Sequence, residues 1–581
     1  MTFTLAPVDD AQARRLADRL GVHPAAARCL AVRGIDVDGA AGFLAPTLAG
    51  LRRPDGLAGF DVAVGRLVRA VVRGERIGVF GDYDVDGVTS AAVLTSMLRA
   101  CGAATEVAVA ERDAGYGFSP AAAAAFADQG CALIVTCDCG TSDLEALAVA
   151  AGRGVEVIVI DHHTVPAAGG RHPSVALVNP LRADSTFPFR GMASVGLAFY
   201  VATALRTALR GEAWFARSGR PEPDPRDLLD LVALGTVADL VPLRAENRIL
   251  TSAGLARLAT RTRPGLAALL DAAAVDRDRP IDTRTISWKL APRLNAPGRL
   301  GASLPALELL LADAAQAPAR AAVLEDANAR RRLAQDHVWA EASAALAAGA
   351  PGDTDDLVFA AGRGWAPGVV GVVASRLVEQ YGRPAFVIAL GDDGVGRGSA
   401  RTAAGVDLYA AMATAAPLLE RFGGHAAAAG LTVRADQLDA LRAALGAAVA
   451  GQLAAGSGPV AQRGPGQAAP ADAEVHLGDV DERLAAELGR LAPFGQDNPA
   501  PRLLLRGLTV RAARKVGDGS HLKVDLGDGR GNQRGGIGFG LGARDLKLGD
   551  LVDVIATPTI STWQGQRRVE LELADLAPAA P

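Results

Sequence analysis

Residues 79–90 read VFGDYDVDGVTS. The apolar run RIGVF leads into three aspartates at alternate positions, Asp82, Asp84 and Asp86, and GVTSAAVL leads out of them. Three carboxylates this close repel one another unless a cation sits among them. The pattern recurs downstream, where ALIVT runs into CDCGTSD with Asp138 and VEVIVI runs into DHH at 161–163. Ala-rich stretches of helical character, TSAAVLTSMLRACG and SDLEALAVAAGRG, lie between. Continuous apolar strands alternating with helices predict a parallel α/β sheet with helices on both faces. Ligands of such sheets gather at the carboxyl ends of the strands, where all three acidic motifs fall.

The rest of the chain frames this unit. At 581 residues it is too long for one hydrophobic core, so roughly two to four domains are expected. Half the residues are apolar and few are aromatic, a composition that folds and does not read as disordered. Apolar runs such as AAVLTSML are too short to span a bilayer, and the N-terminus shows no secretory pattern, so no membrane association and a cytoplasmic location are expected. The five cysteines form no CxxC pair, which excludes a zinc knuckle and a disulfide framework. A net charge of −4 means that any polyanion must be held by a local basic groove or by metal ions.

Residues 1–60 read as an N-terminal helical extension and 61–303 as the first α/β domain. Residues 304–348 read as a long connecting helix with a break at Pro318, and 349–450 as a second α/β unit. Residues 451–473, rich in Gly, Ala and Pro, read as a linker or mobile loop. From 474 to 581, short apolar-patterned strands alternate with Gly/Asp turns, which predicts a small β-barrel of the oligonucleotide-binding type.

Hard divalent cations take carboxylate oxygens, and Mn²⁺ also accepts imidazole. Asp84, Asp86, Asp138, the run Asp161-His162-His163, and Asp239 in VALGTVADLVPL together supply ligands for two adjacent metals. A lone DxD is most often a turn, and adjacent histidines occur by chance. Four motifs in this order, each read at the end of an apolar strand, point to metal-assisted phosphoryl chemistry.

The sequence resembles the DHH phosphoesterase family and, within it, the RecJ single-strand-specific 5′→3′ exonucleases. The resemblance is carried by GDYDVDGVTS, CDCGTSD, DHH and VALGTVADLVPL in the first half. In the second half it is carried by GRGSAR (396–401) and GGHAAAAG (423–430), together with APRLNAPGRLG (291–301) and LAPFGQDNPAP (491–501). It implies two Mn²⁺ or Mg²⁺ ions. Asp84 and Asp138, helped by Asp82, hold one; Asp86, Asp138, His162 and Asp239 hold the other. Asp138 bridges the two, His163 faces the substrate phosphate, and Asp161 orients an imidazole. In small family members a histidine ligand stands four residues before the first aspartate of the pair, and here that position is Phe80. Asp82 is the replacement this reading proposes.

For substrate the resemblance points to Arg397, Ser399 and Arg401, the loop Gly423, Gly424 and His425, and Arg112, Arg293, Asn295 and Arg299. Tyr116 and Trp365 are candidates for base stacking; Lys515, His521, Lys523, Trp563 and Arg567 are candidates on the barrel. The activity implied is hydrolysis of single-stranded DNA from a 5′ end to nucleoside 5′-monophosphates, in repair and recombination. Two alternatives stand beside it: a phosphoesterase of small substrates such as oligoribonucleotides or nucleotides, and a scaffold that has lost its metals. The sequence leaves open which partners, such as a helicase or a single-strand-binding protein, supply the strand.

Overall fold

The computed structural model describes residues 3–111, 117–166, 172–347, 353–354, 356–403, 405–456, 470–563 and 566–579. Strands β1 (Ile77–Gly81), β2 (Thr105–Val109), β3 (Leu133–Cys137), β4 (Glu156–Ile160) and β5 (Ala176–Val178) form one parallel sheet in the order β2-β1-β3-β4-β5. Each central strand is buried along nearly its whole length, as its unbroken apolar sequence requires. Ile77, Val79, Val135 and Ile158 face a core shared with the helices Phe60–Arg73, Val85–Ala100, Ser194–Gly211 and Leu229–Ala238. Phe80, Ile134 and Val157 face a second core under the helices Pro120–Asp128 and Leu144–Gly152. The strand order reverses between β1 and β3, and at that switch point the loops bearing Asp82–Asp86 and Asp138 lie side by side.

The helical segment after residue 303 is in two pieces. Leu304–Leu310 buries Ala306, Leu307, Leu309 and Leu310 in the first domain's core, and a new helix runs Ala317–Ala347. The break therefore falls at 311–316, and Pro318 sits in the first turn of the second helix, where its missing N–H leaves no bond unmade. That helix of 31 residues, about 46 Å long at 1.5 Å per residue, belongs to two cores. Ala321 and Leu324 pack in the first domain; Val338, Ala342 and Leu346 pack in the second.

Strands β6 (Asp353–Thr354), β7 (Leu357–Arg363), β8 (Ala385–Leu390), β9 (Val395–Arg401), β10 (Arg421–Gly424) and β11 (Ala428–Arg434) form a mixed sheet, ordered β10-β11-β9-β8-β7-β6. The helix Val370–Tyr381 covers one face of β7 and β8, and the helices Leu408–Thr414 and Leu438–Ala455 cover the other side. Of the expected linker at 451–473, residues 457–469 lie outside the described residues, and the helix continues to Ala455.

Strands β13 (Leu503–Val516), β14 (His521–Gly527), β15 (Gln533–Gly538), β16 (Leu551–Trp563) and β17 (Gln566–Pro578) close into a barrel through β13–β16 pairing, and β12 (Ala473–Glu474) is added to β13. The N-terminal helices do not stand apart from it. Leu16, Leu30 and Ala40 share one core with Leu484, Leu503, Val524 and Leu571, and Leu5 bridges Ala471.

The segment LAPFGQDNPAP joins this composite domain to the helix Ala245–Ala259 of the first domain. The buried Arg248 guanidinium lies 3.8 Å from the centre of the Phe43 ring and donates to four backbone carbonyls, those of Phe43, Leu491, Ala492 and Pro493, at 2.7–3.5 Å. Asn498 donates to Leu491 and Pro493, and Arg33 donates to the Asn498 Oδ1. Buried acceptors left without a donor are costly, so Arg248→Met should lower the unfolding free energy by about 3 kcal/mol. The urea midpoint at unchanged slope reads this, and a wild-type midpoint would show that the clip is dispensable.

Candidate metal centre

Asp84 is the N-cap of the helix Val85–Ala100, its Oδ1 accepting from the Asp86 and Gly87 N–H groups at 2.9 and 3.1 Å. The DxD motif is thus a turn and an acidic site at once, since capping occupies one oxygen and leaves the carboxylate at a positive helix end. Gly87 is needed for contact: a Cβ there would stand 2.5 Å from the Asp82 backbone nitrogen. Asp86, buried, accepts from the Ser194 and Val195 N–H groups at 2.8 and 2.9 Å, so the start of the helix Ser194–Gly211 neutralises it in part. Asp82, also buried, lies 3.4 Å from the Gly117 N–H.

Asp138 follows β3 with φ 64°, a left-handed conformation uncommon for an aspartate, held by its N–H bond to the Ile160 carbonyl at 2.9 Å. Its Oδ1 accepts from the Ser194 hydroxyl at 2.9 Å and lies 3.3 Å from the His162 Nε2 and 3.8 Å from the His163 Nδ1. Asp239 follows no strand, contrary to the reading of its apolar run: that run forms the buried helix Leu229–Ala238, Asp239 caps its carboxyl end, and its Oδ2 is 3.6 Å from the His162 Nε2. Gly235 lets that helix approach, because a Cβ there would be 3.0 Å from the Asp86 Oδ1.

These side chains form three overlapping sets whose ligand atoms lie within 4.8 Å of one another: Asp82, Asp84 and Asp138; Asp86, His162 and Asp239; and Asp138, His162 and His163. Burial, then the neighbouring Asp84, pushes the Asp82 carboxyl up to about 8 and that of Asp86 up to about 7. Burial, then Asp86 and Asp84, pushes Asp239 up to about 9, and Asp138 rises well above the usual carboxylate range from burial and its acidic neighbours. Carboxylates in this state call for cations. The buried Asp239 Oδ2 has no hydrogen-bond donor among the described residues, as befits an atom reserved for a metal. Five carboxylates and two imidazoles suit Mn²⁺ or Mg²⁺.

The third motif divides its labour. Burial alone would raise the Asp161 carboxyl, but its 2.7 Å contact to the His163 Nδ1 outweighs this and holds it below the ordinary range. Asp161 also accepts from the His162, His163 and Thr141 N–H groups. Burial, then His163, pushes His162 down to about 4, keeping it neutral and able to ligate. Burial depresses His163, but Asp161 more than compensates and its pKa is raised. Phe80 stacks edge-on with Phe118 and Phe126 inside the core. Three further residues complete the centre: Thr141 lies within CDCGTSD, whereas Ser194 and Asn179 had no signal in the sequence. Ser194 bridges Asp86 and Asp138, Thr141 donates to Asp161, and the fully buried Asn179 donates to the His163 carbonyl at 2.9 Å.

The structure brings some substrate candidates together and not others. Opposite register places Ser399, Gly430 and Gly423 in line across β9, β11 and β10, with Arg397 and Arg401 two residues to either side on the same face. Gly424 has φ 130°, and a Cβ there would stand 2.5 Å from the Ala428 carbonyl; His425 closes that turn. Arg293 is tied to Glu325 of the connecting helix and to the Lys289 carbonyl, Asn295 is half-buried beside it, and Arg299 donates to the Gly368 carbonyl. Arg112 and Tyr116 lie outside the described residues, as does the Trp563 side chain. Trp365 is not a stacking platform: it is 6% exposed, packed in the second domain, and its indole N–H donates to Glu341. On the barrel Lys515 and Lys523 are exposed, His521 meets Phe539 edge-on, and Arg567 lies 3.7 Å from Glu482.

Asp86, Asp82 and Asp239 have folded-state pKa values above their unfolded ones. The folded metal-free protein therefore holds protons that the unfolded chain has released, and stability falls as pH rises above the ordinary carboxyl value of 3.8, the fall continuing through neutral pH and levelling off once the last of these groups ionises at about 9. In EDTA the melting temperature should drop across that window, and Mg²⁺ should raise it more at the alkaline end than at the neutral end. A flat profile, or the same metal shift at both ends, would contradict this charge balance.

Three family models match in order: DHH family, N-terminal domain, over 76–236; DHHA1 domain over 354–451; and RecJ OB domain over 471–575. The chain is 32% identical over 585 aligned positions to the single-stranded-DNA-specific exonuclease RecJ of Bacillus subtilis, covering 99% of this chain and 71% of the relative. It is 37% identical to that of Dickeya dadantii, covering 90% and 91%. The crystal structure of RecJ in complex with Mn²⁺ from Thermus thermophilus matches with a TM-score of 0.79 at 30% identity, over all of this chain and 79% of that one. With the domain order, the length of these alignments and the fold in agreement, the chain belongs to the RecJ family of DHH phosphoesterases.

Proposed function

We propose that this protein is a metal-dependent exonuclease that hydrolyses single-stranded DNA from the 5′ end to nucleoside 5′-monophosphates. The observation that carries the reading is the convergence of three ligand sets at the switch point of the first sheet, two of them sharing Asp138. Relatives aligned over 90% and 99% of this chain are named as single-stranded-DNA-specific exonucleases. Two divalent cations, Mn²⁺ or Mg²⁺, held by Asp82, Asp84 and Asp138 and by Asp86, Asp138, His162 and Asp239, would activate water and neutralise phosphoryl charge.

The protein's own groups orient the reactants. Asp161 commits the His163 Nδ1, so the Nε2 is the atom that meets a phosphoryl oxygen and supports charge in the transition state. Arg397, Ser399 and Arg401, on one face of β9, suit a terminal phosphate, and Arg112 is a further donor we assign to it. Water attacks phosphorus and the bond to the 3′ oxygen breaks. The strand left behind carries a new 5′ phosphate, the same group the β9 face reads, so each product is the next substrate. The exposed Lys515 and Lys523, on the hairpin of β13 and β14, are assigned to the strand beyond the site. Among the described residues no helix is long and apolar enough to cross a membrane. We place the protein in the cytoplasm, in DNA repair and recombination, with a helicase or single-strand-binding protein supplying its strand.

Asp138→Ala should abolish Mn²⁺-dependent nuclease activity in a folded protein, whereas His163→Ala should keep metal affinity and lose about 10²-fold in kcat. Near-wild-type turnover in the first variant would refute the shared-ligand assignment; loss of metal from the second would make His163 a ligand. Arg401→Ala should reduce the preference for 5′-phosphorylated over 5′-hydroxyl strands, read as the ratio of initial rates at matched salt. An equal fall on both ends would move Arg401 from the end pocket to the backbone track, and degradation from the 3′ end would overturn the polarity.

A further inference from the structure

We infer that the backbone contact between the end of the helix Ala291–Arg299 and the segment entering the helix Val370–Tyr381 sets the number of nucleotides released per turnover. The inference rests on the function proposed above and assigns Arg299, Gly298 and Gly368 as positioning residues.

A short path joins the metal loop to the end-binding strand. A Cβ on Gly298 would lie 3.3 Å from the carbonyl of Tyr83, the residue between Asp82 and Asp84. The next carbonyl, that of Arg299, would lie 1.9 Å from a Cβ on Gly368, and the Arg299 Nη1 donates to the Gly368 carbonyl at 3.1 Å. Three residues on, a Cβ on Gly371 would lie 3.1 Å from the Arg401 Nη2 and 3.3 Å from the Ser399 Oγ. The path therefore runs Tyr83, 298–299, 368–371, Ser399 and Arg401, with backbone against backbone where the two halves meet. Where the Arg299 carbonyl meets Gly368 the packing is backbone against backbone, and the Arg299 guanidinium braces it, so the spacing is rigid. Phosphates along a strand are discrete. With the terminal phosphate held at Ser399 and Arg401, the spacing selects which phosphodiester reaches the metals.

Arg299 also belongs to the candidates for direct strand contact, and product length separates the two roles. The experiment uses the full chain with Mn²⁺ and single-stranded DNA carrying a labelled 5′ phosphate, the released label being sized as mono- or dinucleotide. Wild type should release mononucleotide alone. Gly368→Ala forces the halves apart by a methyl group, and a misplacement on the order of 1 Å should slow mononucleotide release about 10²-fold while labelled dinucleotide appears. Arg299→Ala, which removes the donor and adds no bulk, should give the same mixture with a smaller loss of rate, and it decides the matter if Gly368→Ala does not fold. Folded variants that release only mononucleotide would overturn the inference and leave the proposed function standing, including the case in which Arg299→Ala raises KM alone. Failure of the wild type to release label would overturn the proposed function and this inference with it.

Discussion

Mutual repulsion among Asp82, Asp84, Asp86, Asp138 and Asp239 is the constraint around which the first domain is arranged. Asp82, Asp86 and Asp138 are buried, and burial with acidic neighbours pushes these three and Asp239 toward the protonated form unless they are compensated. The fold compensates in part with backbone dipoles. One helix begins at Asp84, another begins against Asp86, and the Ser194 hydroxyl reaches Asp138. What remains is charge suited to divalent cations, which ties metal binding to the stability of the site itself.

The same economy of space explains the glycines near the centre. Gly87 and Gly235 let backbone and helix come close enough to bring the acidic side chains within ligand distance, and a methyl group at either position would separate them. Farther out, the structure relies on polar clips instead. Arg248 gathers carbonyls from the N-terminal helices and from the LAPFGQDNPAP segment, so that one buried guanidinium joins three parts of the chain. The long helix Ala317–Ala347 does the corresponding work between the two α/β domains by belonging to both cores.

Much of this was legible in the sequence, because the signals were local. An apolar run ending in acidic residues states both the strand and where its loop emerges, and that is how Asp84, Asp86, Asp138 and the DHH run were found. Other readings failed for lack of such a signal. By residue type alone Trp365 is a candidate for base stacking, whereas it is buried and hydrogen-bonded to Glu341. The proline at 318 reads as a break, yet in the first turn of a helix it costs nothing, and the chain breaks just before it.

By itself the sequence determined the α/β sheet, the order of the metal loops and the chemical class of their ligands, since strand periodicity and motif content depend only on neighbouring residues. Only the tertiary structure decided that Ser194 and Asn179 complete the centre, that the N-terminal helices share the barrel's core, and that Arg299 meets Gly368. Those contacts join residues far apart along the chain, as Arg33 and Asn498 do. Their partners are selected by close packing in three dimensions, which no local pattern encodes.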